Sequence, residues 1–96
     1  MAELRLSRRA ASDLAEIADY TIAEFGIDQA RRYRDQLDAC FRSLLANPQL
    51  GRSAEEVAPG LRRIRQQAHV VFYTVGEDQL LIVRVLHHGM DFERHL

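Results

Sequence analysis

Two mainly apolar runs stand close together in the last third of the chain. They are VVFYTV, residues 70–75, and LLIVRVL, residues 80–86. A strand with one solvated face alternates apolar and polar residues, and these runs do not. Strict alternation in the second run places Leu80, Ile82, Arg84 and Leu86 on one side, and Leu81, Val83 and Val85 on the other. Both sides are mainly apolar, so we expect both faces of the sheet to be covered.

A helical period precedes these strands. Ser7 is a plausible cap for a first helix, which Gly26 ends, and Asp28 is a plausible cap for a second, which Asn47–Pro48 ends. The first apolar stripe is Ala10, Ala11, Leu14, Ile17, Ala18, Thr21 and Phe25, and the second is Ala30, Tyr33, Leu37, Cys40, Phe41, Leu44 and Leu45. The connection is short, which predicts an antiparallel helical hairpin.

Extended segments flank the helical hairpin on both sides. We predict strands at residues 2–6, 61–66, 69–75 and 79–87, with residues 49–60 as a loop. This order predicts an α+β fold, β-α-α-β-β-β, with the helical hairpin packed on one face of a mainly antiparallel four-stranded sheet. The second face must then be covered by the C-terminal tail, by another copy or by a different chain. Uncovered apolar faces commonly bind partners, so the pattern predicts a partner protein.

Composition limits the class of protein. Ninety-six residues, 47% hydrophobic and 28% charged, are typical of one globular domain, which we place at residues 1–96. No apolar run reaches transmembrane length and the N-terminal segment lacks the apolar core of a signal peptide, so we expect a cytoplasmic protein that does not bind membranes. The net charge of −1 gives no general attraction for nucleic acid. A single cysteine, Cys40, excludes an internal disulfide.

Charged and imidazole side chains within the strands are the candidates for chemistry. Arg84 interrupts an apolar strand, and it either pairs with Asp91 or another acid, or contacts a partner at the open sheet face. His87 and His88 are adjacent, so on an extended strand they point to opposite faces and do not share a metal ion. We expect no metal and no cofactor.

The C-terminal third also resembles a known family. The segments PGLRRIRQQAHVVFYTV and LLIVRVLHHGMDF, following a strand and a helical hairpin, are similar to those of the RelE/ParE superfamily of bacterial toxins, and most like ParE. The resemblance implies a toxin that inhibits DNA gyrase by binding it, and that is not an enzyme. It also implies neutralisation by a ParD-like antitoxin that wraps its C-terminal segment over the toxin. Operator binding belongs to the antitoxin in this family, so no direct DNA binding is expected of this chain.

The resemblance guides two sets of site residues. For contact with the antitoxin we expect residues of the open sheet face and the helical hairpin: Arg62, Arg63, Arg65, Phe72, Arg84, Leu14 and Leu37. For toxicity we expect the C-terminal segment, which Gly89 allows to turn: His87, His88, Met90, Asp91, Phe92 and Arg94. An alternative for Phe92 is to fold back onto the core.

The alternative activity is ribosome-dependent mRNA cleavage of the RelE type. Phosphate clamps would come from Arg62, Arg63, Arg65 and Arg84, and a base or acid from His87 or His88. RelE-like nucleases also use lysine and often a C-terminal tyrosine. This chain contains no lysine, and its tail reads Met90-Asp91-Phe92. Binding is therefore the preferred interpretation.

Overall fold

The computed structural model describes residues 2–96, which form an open sheet with a helical hairpin against one face. In chain order the elements are β1 Glu3–Leu6, α1 Arg8–Phe25, α2 Ile27–Ala46, β2 Arg52–Ser53, β3 Arg62–Gln66, β4 His69–Val75, β5 Gln79–His87 and α3 Phe92–His95. The predicted α+β class and the β-α-α-β-β-β order of the longer elements are confirmed.

The helical hairpin begins and turns at the residues that its capping chemistry favours. The Ser7 hydroxyl accepts the N–H of Ala10 at 2.9 Å and donates to the carbonyl of Val83 at 2.7 Å, which caps α1 and ties it to β5. Gly26 alone joins the helices at φ 91°, a conformation that other residues adopt only with strain. Asp28 is not the cap of α2. It lies inside the first turn, where a carboxylate faces the positive end of the helix dipole.

The sheet has the strand order β1-β5-β4-β3-β2. β1 runs parallel to β5, and the remaining neighbours are antiparallel. The four-stranded prediction was one strand short, because β2 pairs Arg52 with Arg63 and Ser53 with Arg62 inside the expected loop. A strand of two polar residues carries no periodic signal, so only its pairing reveals it.

The core between the helical hairpin and the sheet follows the stripe predicted for α2, but in the stripe predicted for α1 Ala11 and Phe25 are exposed. Its fully buried members include Leu37, Phe41 and Leu44 of α2, packed against residues of β4 and β5. Tyr73 is also fully buried, and its hydroxyl accepts the N–H of Gly51 at 2.9 Å and donates to the carbonyl of Pro48 at 2.9 Å. The Tyr73 hydroxyl thus fixes the loop that follows α2 against the core.

An irregularity in β5 changes which residues face the helices. Phe72 pairs with Arg84 but the next residue, Tyr73, pairs with Ile82, so Val83 is an extra residue on β5. After it the alternation shifts by one position. Val85 therefore joins Leu80 and Ile82 in the helix-side core, and Leu86 lies on the opposite face. The division of β5 predicted from strict alternation was right for Val83 and wrong for Val85 and Leu86.

The second face of the sheet is covered by this chain itself. The connection between β2 and β3 and the C-terminal segment enclose an apolar cluster of Ala54, Leu61, Val70, Phe72 and Leu86, with Val57, Ala58, Val83, Phe92 and Leu96 at its margin. Of the three covers left open by the sequence, the tail is the one found, assisted by a segment that was expected to be only a loop. The open sheet face that was to indicate a partner is therefore absent from residues 2–96.

None of the helices in residues 2–96 combines the length and the apolar character that crossing a membrane requires.

Candidate partner-binding site

Two concave surfaces are formed on this fold. The α1 groove, about 930 Å³, lies between one side of α1, the β3–β4 turn and the end of β5. Its lining includes Glu16, Ile17, Tyr20, Phe25, Tyr33, His69, His87, Gly89 and Met90. The arginine cleft, about 420 Å³, lies on the second face and is lined by Leu50, Gly51, Arg52, Arg63, Ile64, Arg65, Val70, His88 and Phe92.

The wall of the α1 groove presents large apolar side chains to solvent. Tyr20 is 64% exposed, Phe25 is 66% exposed and Met90 is 38% exposed. Tyr20 and Phe25 line the groove from α1 together with Ile17, which is partly buried at the margin of the helix-side core. Exposed aromatic side chains in a concave surface are the usual anchors of a protein interface, so this side of α1 is the best-formed docking surface of the chain.

After Arg8 and Arg9, the charged residues of α1 and of the first turn of α2 are all acidic. Residues 10–30 contain five acids, Asp13, Glu16, Asp19, Glu24 and Asp28, and no lysine or arginine. Asp13 is buried and paired, while Glu16 lines the α1 groove in an exposed position. The α1 groove therefore presents one exposed carboxylate, that of Glu16, which favours a partner with a basic residue beside its apolar ones.

A buried ion pair closes the floor of this groove. Arg84 Nε and Nη2 donate to the two carboxylate oxygens of Asp13, both at 2.8 Å, and the backbone N–H of Val85 donates to Asp13 Oδ2 at 2.9 Å. A third donor of the guanidinium, Nη1, binds the carbonyl of His95 at 2.6 Å. The hydrogen bond to Asp13 raises the pKa of Arg84. Of the alternatives left open for Arg84, the structure has the ion pair, formed with Asp13 of α1 and not with Asp91, and Arg84 is 9% exposed.

Four polar rings meet at one end of the groove. The Tyr33 hydroxyl lies 2.6 Å from His69 Nδ1 and donates to the carbonyl of Gln66 at 3.0 Å. The rings of His69 and His87 meet edge to face at 5.8 Å, and those of His87 and His88 stack at 4.5 Å. The prediction of opposite directions for His87 and His88 was wrong because β5 ends at His87 and the chain turns there. In residues 2–96 no group of three His, Cys, Asp or Glu side chains is arranged to hold a metal ion.

Burial governs the acid–base properties around these rings. Burial, together with a smaller effect of Cys40, raises the pKa of Tyr33 to about 12, and burial raises the pKa of the Cys40 thiol. Burial also lowers the pKa of His69, and the neighbouring His87 and His88 lower it further, against an opposing effect of Asp13. Neutral imidazole is therefore the favoured form of His69.

The arginine cleft collects cations from adjacent strands. Arg52 and Arg63 are direct cross-strand partners, and Arg65 follows on the same side of β3. Arg63 forms an ion pair with the exposed Glu56 at 3.3 Å, and Arg65 donates to the carbonyl of Gln67 at 2.6 Å. The Nε atoms of Arg62 and Arg63 are buried, with no hydrogen-bond partner in the described part of the chain.

The expected phosphate clamps do not assemble as one group. Arg62 lies on the opposite side of β3 from Arg63, where its guanidinium binds the carbonyls of Gln49 and Gly51. Arg84 is engaged by Asp13. Arg63 and Arg65 are therefore the two of the four that share the cleft, and Arg52, which was not among the candidates, joins them.

Three of the residues expected to contact an antitoxin are core residues. Leu14, Leu37 and Phe72 are 4%, 1% and 0% exposed. Leu14 and Leu37 lie in the core between the helical hairpin and the sheet, and Phe72 is enclosed on the second face, which the tail covers. Their side chains offer no surface to a partner in this conformation.

The C-terminal segment divides into an exposed and an anchored part. His87, His88, Met90, Asp91 and Arg94 are exposed. Phe92 is half-buried, with its ring edge to face on Phe72 at 4.9 Å, so the alternative of folding back onto the core applies to this residue. Gly89 turns without a positive φ, and its lack of a side chain matters because a Cβ there would lie 3.3 Å from His87 Nδ1.

Comparisons with known proteins agree with this arrangement. A family model described as "ParE toxin of type II toxin-antitoxin system, parDE" matches residues 4–92. The chain belongs to the ParE toxin family. Toxin ParE1 of Mycobacterium tuberculosis is 41% identical over 92 residues, covering 95% of this chain and 94% of that one. Toxin ParE1 of Caulobacter vibrioides is 40% identical over 96 residues, covering 100% and 99%.

A solved structure supports the same family. The chromosomal ParDE TA system from P. aeruginosa contains a chain with TM-score 0.78 and 25% identity, covering 91% of this chain and 96% of that one. The resemblance inferred from the C-terminal segments is thereby confirmed. The family consists of toxins from type II toxin–antitoxin systems.

Several site residues of this ParE-family chain were not predicted from the sequence. Asp13 is one, although it lies three residues after Ala10 and four before Ile17, where a carboxylate on an apolar stripe signals a buried partner. Tyr20 gave no such signal, because an aromatic residue beside an amphipathic stripe is equally compatible with burial. The Tyr33–His69 contact joins positions 36 residues apart, so only the tertiary structure reveals it.

Proposed function

We propose that this chain is a gyrase-binding toxin, held inactive in the cytoplasm by a cognate ParD-like antitoxin. Membership of the ParE toxin family over residues 4–92 is the observation that carries the proposal. Inhibition is by binding and requires no catalysis. The chain itself does not bind DNA, in keeping with a net charge of −1.

The antitoxin occupies the α1 groove in this proposal. Exposed Tyr20, Phe25 and Met90 offer apolar anchors, and the exposed carboxylate of Glu16 favours a segment with a basic residue beside its apolar ones. Arg63 and Arg65, retained from the expected antitoxin contacts, receive carboxylates of the same antitoxin where it continues over the second face.

Gyrase contacts the exposed part of the C-terminal segment: His87, His88, Met90, Asp91 and Arg94. Phe92 acts indirectly, because its packing on Phe72 fixes the segment in place. Two of these residues, His87 and Met90, also line the α1 groove. One bound antitoxin segment would therefore cover residues needed for gyrase, which explains neutralisation by competition.

The alternative, ribosome-dependent mRNA cleavage, is favoured by the arginine cleft. Arg52, Arg63 and Arg65 surround a space beside Val70, with His88 at its margin as a proton donor or acceptor. The groups engaged elsewhere, Arg62 and Arg84, weaken this alternative.

The deciding experiment adds the purified chain separately to a gyrase supercoiling reaction and to a translating ribosome extract. We expect inhibition of supercoiling, reversed by stoichiometric antitoxin, with intact mRNA in the extract. Arg63→Gln and Arg65→Gln together should leave supercoiling inhibition unchanged. Cleaved mRNA, abolished by the same double variant, would establish the nuclease instead.

A further inference from the structure

The turn that follows β5 is held by a histidine acceptor. The backbone N–H of Gly89 donates to His87 Nδ1 at 3.1 Å, and the N–H of Met90 donates to the carbonyl of His87 at 3.0 Å. An imidazole nitrogen accepts a hydrogen bond only while it carries no proton. The first of these two bonds therefore exists only with His87 in the neutral form.

The surroundings of His87 are unfavourable for a second positive charge. His88 stacks on one side of its ring at 4.5 Å and His69, its cross-strand partner on β4, meets it at 5.8 Å. Behind His69 lies Tyr33 of α2, a neutral hydroxyl. If two of these imidazoles become protonated they repel at short distance, in addition to the loss of the acceptor.

Charged groups on the other elements offset the repulsion between protonated imidazoles only in part. From α1, Asp13 and Glu16 line the same groove, but Asp13 is engaged by Arg84 of β5. From β3, Arg65 shares the arginine cleft with His88 and adds positive charge on that side. Glu16 is thus the carboxylate of the groove lining left to balance a protonated cluster, and it is exposed to solvent.

We propose that His69, His87 and His88 form a proton-sensitive latch on the turn that carries Gly89 and Met90. With neutral rings the turn is closed by the Gly89 N–H bond to His87. A proton on His87 Nδ1 makes two donors face each other, so the turn opens. The turn forms one lip of the α1 groove, which makes the shape of that surface dependent on pH.

The lowered pKa of His69 is consistent with this assignment, since burial and its two histidine neighbours both disfavour its charged form. The latch is independent of the identity of any partner. Its consequence for a partner rests on the proposed function, but the opening of the turn can be measured on the free chain.

The test is backbone ¹⁵N relaxation of the free chain between about pH 7.5 and about pH 5. We expect order parameters of Gly89 and Met90 to fall from about 0.85 towards 0.6 or below as the pH is lowered, while β4 remains rigid. His87→Asn places a non-titrating side-chain oxygen near the position of Nδ1 and should keep the turn ordered at both pH values. His87→Ala should leave it mobile at both.

A control variant and two contrary outcomes complete the test of the latch. His95→Gln removes a titrating imidazole that takes no part in the ring contacts and should leave the pH response unchanged. An ordered turn at the lower pH in the unmodified chain, with His87 shown to be protonated by its ring shifts, would overturn the latch. So would an unchanged pH response in His87→Asn.

Discussion

Asp13 and Arg84 are 71 residues apart in sequence and form a bidentate ion pair at 2.8 Å beneath the α1 groove. The carboxylate also accepts the N–H of Val85, and the guanidinium also holds the carbonyl of His95. One pair thus connects α1, β5 and the C-terminal segment. A charge at the centre of an apolar strand is tolerated because every one of these groups is hydrogen-bonded.

Removing either partner of this pair should destabilise the fold. Arg84→Leu leaves Asp13 buried without its counter-ion, and we expect a loss of about 3–5 kcal/mol in the free energy of unfolding. Urea unfolding followed by circular dichroism measures it. Asp38→Ala, which breaks the exposed Arg34–Asp38 pair, is the control and should cost less than about 1 kcal/mol. An Arg84→Leu chain of normal stability that has lost antitoxin affinity would show that the arginine serves a partner.

Gly51 should tolerate no side chain. A Cβ at this position would lie 2.6 Å from the carbonyl oxygen of Arg63 and 2.8 Å from the ring of Tyr73. Gly51→Ala should therefore separate β2 from β3 and lower the melting temperature by several degrees, about 4–8 °C for each kcal/mol lost. Gly76→Ala is the matched control, because its Cβ would meet Gln79 atoms at an ordinary 3.5 Å. Equal melting temperatures for the two variants would contradict the packing described.

Substitutions at Phe92 and Met90 should have different effects: the first should lower stability and the second should weaken toxicity. Phe92→Ala removes the ring packed on Phe72 and should lower the free energy of unfolding by about 1–3 kcal/mol, since the side chain is only half-buried. Met90→Ala should leave stability within about 0.5 kcal/mol, because its side chain is exposed. In a growth-arrest assay Met90→Ala should nevertheless weaken toxicity. Full toxicity of a folded Met90→Ala chain would remove this residue from the gyrase surface.

The α1 groove should be required for neutralisation. Tyr20→Ala combined with Phe25→Ala removes two exposed aromatic anchors, and we expect at least about tenfold weaker antitoxin binding by calorimetry. Ile22→Ala alters an exposed apolar residue of the same helix that does not line the groove and should bind normally. Toxicity without antitoxin should persist in both the double variant and the control. Unchanged binding by the double variant would place the antitoxin elsewhere.

Stability should fall on acidification through the imidazole range. The pKa of His69 is lowered in the folded state, so the unfolded chain binds more protons below the ordinary value. The stabilising contribution is complete above about pH 6.5 and is lost as the pH falls towards the lower folded value. Urea midpoints measured from about pH 7.5 to about pH 5 should decline, and His69→Gln should flatten the decline. A slope unaffected by His69→Gln would assign the effect to other groups.

Local sequence determined the elements and the family of this protein. Ser7, Gly26 and Asn47 bound the two helices as their capping preferences require, and the apolar stripes identify the helix-side core because burial repeats with the helical period. The segments around Arg62 and His87 were sufficient to indicate a ParE-like toxin, because local order along the chain is what a family shares.

The tertiary structure decided what those elements do to one another. One extra residue at Val83 shifts the faces of β5, and alternation counted from the sequence has no means of detecting it. Burial of Phe72 depends on Phe92 folding back, and the role of Arg84 depends on Asp13, 71 residues away. Such contacts join residues that are far apart in sequence and that meet only when whole elements pack together. The local spacing of residues along the chain therefore does not predict them.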